Sequence, residues 1–233
     1  MKDLAGWTIA FDLDGTLVET APDLIGTLNR LLEQRGLPVA ATSDARVLVG
    51  RGAIALLKHG FQRAGAIWDE AETPTLLQAF LDDYLIHIAD ESCVYPGARA
   101  VLDNLIARGA ILCVATNKPT HLAVALLEAL NLADRFAAIF GPDSVTARKP
   151  DAAHIRETVL SAGGDPGRAI MVGDSITDLD AARATGVPCV LVTFGYSDPP
   201  AAELGGDVAI DHFDTLPEAL VGLMQAARLE TAS

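Results

Sequence analysis

Five short apolar segments constrain the fold of this chain more than any other feature. None of them alternates apolar with polar residues, and that pattern is typical of strands buried on both faces of a parallel sheet. The segments are WTIAF (7–11), AILCVAT (110–116), AAIF (137–140), AIMVGD (169–174) and CVLVTFG (189–195). Helical patterns over 98–108, 121–132 and 152–162 separate the later segments. This alternation predicts an α/β fold with a doubly wound, mainly parallel Rossmann-like sheet.

One long interval interrupts the alternation. About a hundred residues separate the first two predicted strands, and they carry helical patterns instead, such as 20–36 with Thr20 as its candidate N-cap. An interval of this length exceeds an ordinary crossover between adjacent strands. We therefore predict an α/β catalytic core formed by 1–18 and 93–233, with a helical cap domain inserted at 19–92.

The composition of the 233-residue chain excludes several classes of protein. There are 31 acidic and 17 basic residues, a net charge of −14, and no basic stripe that would suit nucleic acid. No apolar run reaches the roughly 18 residues of a membrane helix, and the N-terminus lacks a signal-peptide pattern. We expect a cytoplasmic protein without a membrane or nucleic-acid partner. The sequence does not indicate its oligomeric state.

Polar residues follow three of the predicted strands, and a lysine stands in the ARKPD segment. These residues are Asp12, Asp14, Thr116, Asn117, Lys149, Asp174 and, one helical turn later, Asp178. The carboxyl ends of parallel strands form the usual ligand crevice of such sheets. A cluster of carboxylate oxygens there suits a hard cation, most simply Mg²⁺. Together with Lys149, that cation would offset the repulsion between the carboxylates and a phosphate ester.

Four segments carry a family resemblance. FDLDGTLVET, VATNK, ARKPD and VGDSITD resemble the four ordered motifs of the haloacid dehalogenase-like phosphohydrolase superfamily. Within it, YPGARAVLDNLIARG (95–109) and TNKPTHL (116–122) are most similar to the bacterial phosphoglycolate phosphatases. The resemblance implies Mg²⁺-dependent hydrolysis of a small phosphate monoester, 2-phosphoglycolate, through an aspartyl-phosphate intermediate.

The same resemblance implies a role for each matching residue. Asp12 would be the nucleophile, and Asp14 would protonate the leaving alcohol and then activate water. Thr116, Asn117 and Lys149 would bind the phosphoryl group. Asp12, Asp14 and Asp174 would hold the metal, Asp14 through its backbone carbonyl, and Asp178 would support the metal's water shell.

Two weaker features allow more than one interpretation. The segment Gly50, Arg51 and Gly52 is either a turn between cap helices with a solvated arginine or a loop whose Arg51 meets a substrate carboxylate. His154 lies in a predicted core helix near a motif loop, and we expect a surface or capping role for it.

Alternative functions stay open at this stage. A sugar-phosphate mutase or another phosphatase of the superfamily would share the core, the cap and the motifs. A phospho-accepting receiver-like signalling domain also uses an acidic pocket with a threonine and a lysine. It would need a long-lived aspartyl-phosphate, which the base at Asp14 disfavours.

Overall fold

A six-stranded parallel sheet forms the centre of the protein. The computed structural model describes residues 3–41, 48–49 and 52–230. In chain order, the strands of this sheet are β1 (Thr8–Phe11), β4 (Ile111–Ala115), β5 (Ala138–Phe140), β6 (Ala169–Gly173), β7 (Cys189–Val192) and β8 (Val208–Ile210). Their spatial order is β5-β4-β1-β6-β7-β8, and every neighbouring pair is parallel. The prediction of a doubly wound parallel sheet is confirmed.

Helices cover both faces of this sheet. They are α4 (Ala98–Ala107), α5 (Thr120–Ala129), α6 (Ala152–Ser161), α7 (Ile176–Thr185) and α8 (Leu216–Glu230). Alternate strand residues point to opposite faces. Ile9 and Phe11 therefore pack in the cluster with α4, α5 and α8, whereas Ala10 packs with α6 and α7. The sheet is buried on both faces, which explains why its strands are apolar without alternation.

Strand β8 was not predicted. It has three residues, its first two are not fully buried, and it lies at the sheet edge beside β7. An edge strand of this length has too few buried positions to stand out as an apolar segment. No helix in the described part of the chain is both long and apolar enough to cross a membrane.

In the described part of the interval between β1 and the second core strand, three further helices have defined bounds. They are α1 (Ala21–Gln34), α2 (Ala53–Arg63) and α3 (Thr73–Ile86). Their apolar faces form a separate core that includes Leu28, Leu32, Leu57, Phe61 and Phe80. This inserted helical cap confirms the predicted architecture.

A short ribbon marks the passage between core and cap. Strands β2 (Val18–Glu19) and β3 (Cys93–Val94) pair antiparallel, with Val18 opposite Val94. The carboxylate of Asp23 accepts hydrogen bonds from the Ser92 N–H at 2.7 Å and the Ser92 hydroxyl at 2.5 Å. The chain therefore enters and leaves the helical insertion at one place. We propose to keep the boundary there, at 18/19 and 92/93.

The predicted N-cap of α1 is wrong in its chemistry. Thr20 occupies the N-cap position, but its backbone is helical (φ −106°, ψ −8°) and its side chain caps no helix N–H group in the described structure. The hydroxyl of Tyr196, from the loop after β7, accepts instead from the N–H groups of Thr20 (2.7 Å) and Ala21 (3.0 Å). It also lies 2.6 Å from a carboxylate oxygen of Glu19. Tyr196, which is distant in sequence, therefore caps the helix N-terminus and ties α1 to the loop after β7.

Candidate active site

A cavity of about 670 Å³ lies between the carboxyl ends of the strands and the helical insertion. The ends of β1, β4 and β6 supply its floor, which includes Asp12, Thr116 and Asp174. Helices α2 and α3 contribute apolar residues such as Ile54 and Phe80 to the opposite side. The polar residues predicted at the strand ends therefore line one cavity.

Lys149 is the central cation of this floor. Its ammonium nitrogen lies 2.8 Å from Asp12 Oδ1 and 2.6 Å from Asp178 Oδ1, and its side chain is 2% exposed. Burial alone would lower the pKa of Lys149, but the charges of Asp12 and Asp178 outweigh burial and raise it above its usual value. Lys149 is therefore a permanent positive charge at the cavity floor.

Three buried aspartates surround this lysine. Single carboxylate oxygens of Asp12, Asp174 and Asp178 all lie within 4.8 Å of one another. Burial raises the pKa of Asp12 to about 6 and that of Asp174 well above its usual value, and the mutual repulsion of the carboxylates adds to the effect. One ammonium group cannot neutralise three carboxylates. The oxygen donor set therefore fits a divalent cation.

Hydrogen bonds from neighbouring residues hold two of these aspartates in place. Asp174 Oδ2 accepts from the Tyr196 N–H at 2.6 Å, and Asp178 Oδ2 accepts from the Ser175 hydroxyl at 2.7 Å in the capping box of α7. Gly15 has a φ of +80°, and a Cβ there would lie 2.6 Å from Asp174 Oδ2. A side chain at Gly15 is therefore excluded both by the backbone conformation and by the aspartate.

His154 and Asn117 fix the backbone of Lys149. The Lys149 N–H donates to His154 Nδ1 at 3.1 Å, and Asn117 Nδ2 donates to the Lys149 carbonyl at 3.1 Å. His154 Nε2 lies 3.2 Å from the carbonyl oxygen of Phe140. Burial, with the nearby charge of Lys149, lowers the pKa of His154 to about 4, so the ring is a neutral acceptor at Nδ1.

The expected surface or capping role of His154 is therefore wrong, because the side chain is fully buried behind Lys149. The distance in sequence between His154 and the acidic residues did not indicate this buried position. The partner of His154 is a backbone N–H group, which side-chain patterns do not reveal.

Thr116 lines the cavity floor. It directly follows β4, its N–H donates to the Phe140 carbonyl at 3.0 Å, and its hydroxyl oxygen accepts from the Lys118 N–H at 3.2 Å. The hydroxyl proton is therefore available to a ligand. The amide of Asn117 is turned to Lys149, so any phosphate contact of Asn117 would come from its backbone N–H.

A second buried lysine was missed by the sequence analysis. Lys118 Nζ lies 3.0 Å from Asp14 Oδ1 and 3.0 Å from the hydroxyl oxygen of Tyr84, which belongs to α3. The ammonium also lies 4.3 Å from the centre of the Tyr84 ring. Burial would lower the pKa of Lys118, but Asp14 and Tyr84 raise it above its usual value. The position of Lys118, two residues after Thr116, could have indicated it, whereas Tyr84 occupies an ordinary apolar position of its helix.

The predicted substrate loop of the cap is only partly described. Gly50 and Arg51 lie outside the described residues. Gly52, which lines the cavity, precedes α2 with a φ of +88°. The role of Arg51 stays a prediction.

The sequence is similar to those of known hydrolases. Residues 9–192 match the family model described as Haloacid dehalogenase-like hydrolase. The chain is 50% identical over 224 residues to a phosphoglycolate phosphatase of Caulobacter vibrioides, covering 96% of this chain and 94% of the relative. It is also 34% identical over 229 residues to an N-acetylmuramic acid 6-phosphate phosphatase of Pseudomonas aeruginosa, covering 97% and 98%.

A solved structure shares the whole architecture. The crystal structure of a predicted phosphoglycolate phosphatase from Haemophilus somnus 129pt superposes with a TM-score of 0.83 at 30% identity, covering 94% of this chain and 98% of that one. The sheet order, the inserted helices and the strand-end aspartates thus occur in a chain whose sequence matches the family over most of its length. The chain belongs to the haloacid dehalogenase-like hydrolase family.

Proposed function

We propose that this protein is a Mg²⁺-dependent phosphatase that hydrolyses a small phosphate monoester, 2-phosphoglycolate, through an aspartyl-phosphate. The observation that carries the proposal is the buried cluster of Asp12, Asp174 and Asp178 around Lys149 at the cavity floor. Relatives of this chain, including the Caulobacter vibrioides protein, are named phosphoglycolate phosphatases. A cytoplasmic location belongs to the same proposal.

In the first step, Asp12 attacks the phosphorus atom. Lys149 holds Asp12 Oδ1, which leaves Oδ2 as the attacking oxygen. A P–O bond to Asp12 forms while the bond from phosphorus to the ester oxygen breaks. With the ester bound, Asp14 is in its acid form, and it donates its proton to the departing oxygen, so that the alcohol leaves neutral. The Thr116 hydroxyl and Lys149 hold the other phosphoryl oxygens.

In the second step, water hydrolyses the acyl phosphate. Asp14, now a carboxylate, takes a proton from the water as the water oxygen attacks phosphorus. The P–O bond to Asp12 breaks, and inorganic phosphate leaves. Both aspartates return to their starting forms, because Asp14 recovers the proton it gave away.

The residues that would hold Mg²⁺ are Asp12 and Asp174, with the backbone carbonyl of Asp14 and with Asp178 supporting the water shell. Bound there, the cation would offset the charge of the carboxylates and of the phosphoryl oxygens. Oxygen donors alone at the cluster agree with Mg²⁺ rather than with a softer metal.

The size of the cavity favours a second candidate substrate. A volume of about 670 Å³ is in the range of pockets for much larger ligands than phosphoglycolate. N-acetylmuramic acid 6-phosphate, named for the Pseudomonas aeruginosa relative, is larger, and it too is a phosphate monoester of a carboxylic acid. The second candidate is therefore a phosphatase for that sugar acid.

Phosphate release from both esters tests the proposal. With Mg²⁺, we expect kcat/KM for 2-phosphoglycolate to exceed that for N-acetylmuramic acid 6-phosphate and for an aryl phosphate by at least about 10-fold, since one charge-assisted contact is worth that much. Excess chelator should abolish turnover, and added Mg²⁺ should restore it. A preference for the sugar acid would establish the second candidate, and full activity in chelator would reject the metal assignment.

A further inference from the structure

We infer that Lys118 and Tyr84 form the specificity pair of this site, with the ammonium of Lys118 and the hydroxyl of Tyr84 binding the carboxylate of the leaving group. This inference rests on the proposed function, because it assigns the part of the site that distinguishes a phosphorylated acid from a neutral ester. It concerns two residues for which the family motifs gave no role in the sequence analysis.

The position of Lys118 follows from its contact with Asp14. Asp14 must reach the ester oxygen of the leaving group in order to protonate it. Lys118 Nζ lies 3.0 Å from Asp14 Oδ1 and 3.3 Å from Asp14 Oδ2, so it stands beside the same part of the substrate. In phosphoglycolate the carboxylate is separated from the ester oxygen by a single methylene carbon. A cation beside Asp14 is therefore within reach of that carboxylate.

Lys118 can also turn one donor to a ligand. An ammonium group has three N–H donors. Among residues 3–41, 48–49 and 52–230, its acceptors are Asp14 Oδ1, Asp14 Oδ2 and the hydroxyl oxygen of Tyr84. The contact with Asp14 Oδ2 is the longest of the three at 3.3 Å, so an incoming anion can take that donor while Asp14 Oδ1 keeps its own. The hydroxyl of Tyr84 accepts from Lys118, so its own proton can point to the same anion. Burial raises the pKa of Tyr84 to about 12, which keeps that proton in place.

The other described cations of the cavity suit this task less well. Lys149 is already shared by two carboxylates, Asp12 and Asp178, whereas Lys118 meets one. Arg148 lines the cavity but is exposed to solvent, where a charge contributes little. The side chain of Lys118 is 4% exposed, and a charge-assisted hydrogen bond is strongest when water is excluded. Lys118 is thus the described cation best able to bind a second anion.

The pair also joins the two halves of the molecule. Lys118 follows β4 in the core, and Tyr84 belongs to α3 of the cap, where it stacks on Phe80. A carboxylate that bridges them would contact both halves at once. Substrate choice would then depend on the cap through a defined side chain.

The test compares two substrates of nearly equal size. Phosphoglycolate carries the carboxylate, and 2-hydroxyethyl phosphate carries a neutral hydroxyl in its place. Lys118→Met should lower the ratio of kcat/KM for phosphoglycolate to that for 2-hydroxyethyl phosphate by about 10- to 100-fold, the effect of losing one hydrogen bond to a charged group. Tyr84→Phe should lower the ratio by about 3- to 10-fold. Lys118→Arg, which keeps the charge, should retain most of the preference.

Inhibition by glycolate gives a second measurement that does not need phosphoglycolate to be a substrate. With 2-hydroxyethyl phosphate as substrate, Lys118→Met should raise the inhibition constant of glycolate by about 10-fold or more. Lys58→Met removes a lysine from an exposed ion pair with Glu70, outside the cavity, and should change neither quantity.

The outcomes distinguish a failure of the inference about Lys118 from a failure of the proposed function. Equal losses on both substrates with unchanged glycolate inhibition would show that Lys118 only positions Asp14, and would overturn the inference. A selective loss in Arg148→Met or Arg51→Ala, but not in Lys118→Met, would also overturn it. If the wild-type protein hydrolyses other esters but not phosphoglycolate, the proposed function fails, and the glycolate measurement still decides the role of Lys118.

Discussion

Two buried lysines of the same cavity differ in what holds them. Lys149 contacts Asp12 and Asp178, and its backbone is held by His154 and Asn117, so every one of these partners belongs to the core. Lys118 contacts Asp14 of the core and Tyr84 of the cap. Both ammonium groups are kept charged by their anionic neighbours despite burial.

We propose that this difference separates the residue that serves phosphoryl transfer, Lys149, from the residue that serves substrate recognition, Lys118. The surroundings of Lys149 depend on strand ends that meet at one edge of a single sheet, so its geometry is fixed by the core alone. The surroundings of Lys118 depend on where α3 lies relative to β4. Under the proposed function, phosphoryl transfer would depend on the core, whereas recognition of the leaving group would depend on the position of the cap.

The largest expected effect comes from Asp12. Asp12→Asn removes the attacking carboxylate without a change in volume, so turnover of every phosphate ester should fall by at least about 10³-fold. Phosphate release from an aryl phosphate at saturating Mg²⁺ measures it. Asp82→Asn, an exposed aspartate of α3 outside the cavity, is the matched control. Turnover near that of the wild type in Asp12→Asn would reject the mechanism.

A smaller effect should separate the two lysines directly. On an aryl phosphate, which has no carboxylate, Lys149→Met should lower kcat by about 10²- to 10³-fold, the range for losing one preorganised donor to the transition state. Lys118→Met should lower it by about 10-fold, through its contact with Asp14 alone. Single-turnover measurements on both variants would show this. Losses of the same size would mean that Lys149 and Lys118 do not have separate roles in catalysis and in substrate recognition.

The sequence was sufficient to predict which strand-end residues lie together at one cavity. Asp12, Thr116 and Asp174 directly follow buried strands, and parallel strands bring their carboxyl ends to one edge. Asp178 lies one helical turn after Asp174, so local geometry already places it on the same side. These positions depend on strand direction and helix period, both of which sequence patterns report.

Contacts between distant segments could not be predicted in this way. Tyr84 reaches Lys118 because both side chains line the cavity between the cap and the end of β4, and Tyr196 caps α1 because the loop after β7 passes the junction with the cap. The candidate N-cap Thr20 illustrates the same limit. Its residue type favours capping, but tertiary packing buries it in a helical conformation, and Tyr196 from the loop after β7 takes its place.

The smallest expected effect concerns His154, and it is measured as the pH dependence of the free energy of unfolding. Its pKa of about 4 in the folded protein lies below the usual value of 6.5, so the unfolded chain binds more protons between these values. This contribution to stability is complete above about pH 6.5 and is lost as the pH falls towards 4. Asp12 and Asp174 act in the opposite direction, because their raised pKa values make the folded state bind more protons as the pH falls.

Because these effects oppose each other in the wild type, a variant must isolate the histidine. His154→Gln removes the titrating ring, so the free energy of unfolding should fall between pH 7 and pH 5 by about 2 kcal/mol less than in the wild type. Urea unfolding in chelator at both pH values measures this difference, with the exposed His121→Gln as the control. A dependence on pH identical to that of the wild type would mean that His154 is not held neutral behind Lys149. The backbone N–H of Lys149 would then lack the neutral acceptor that holds it in the core.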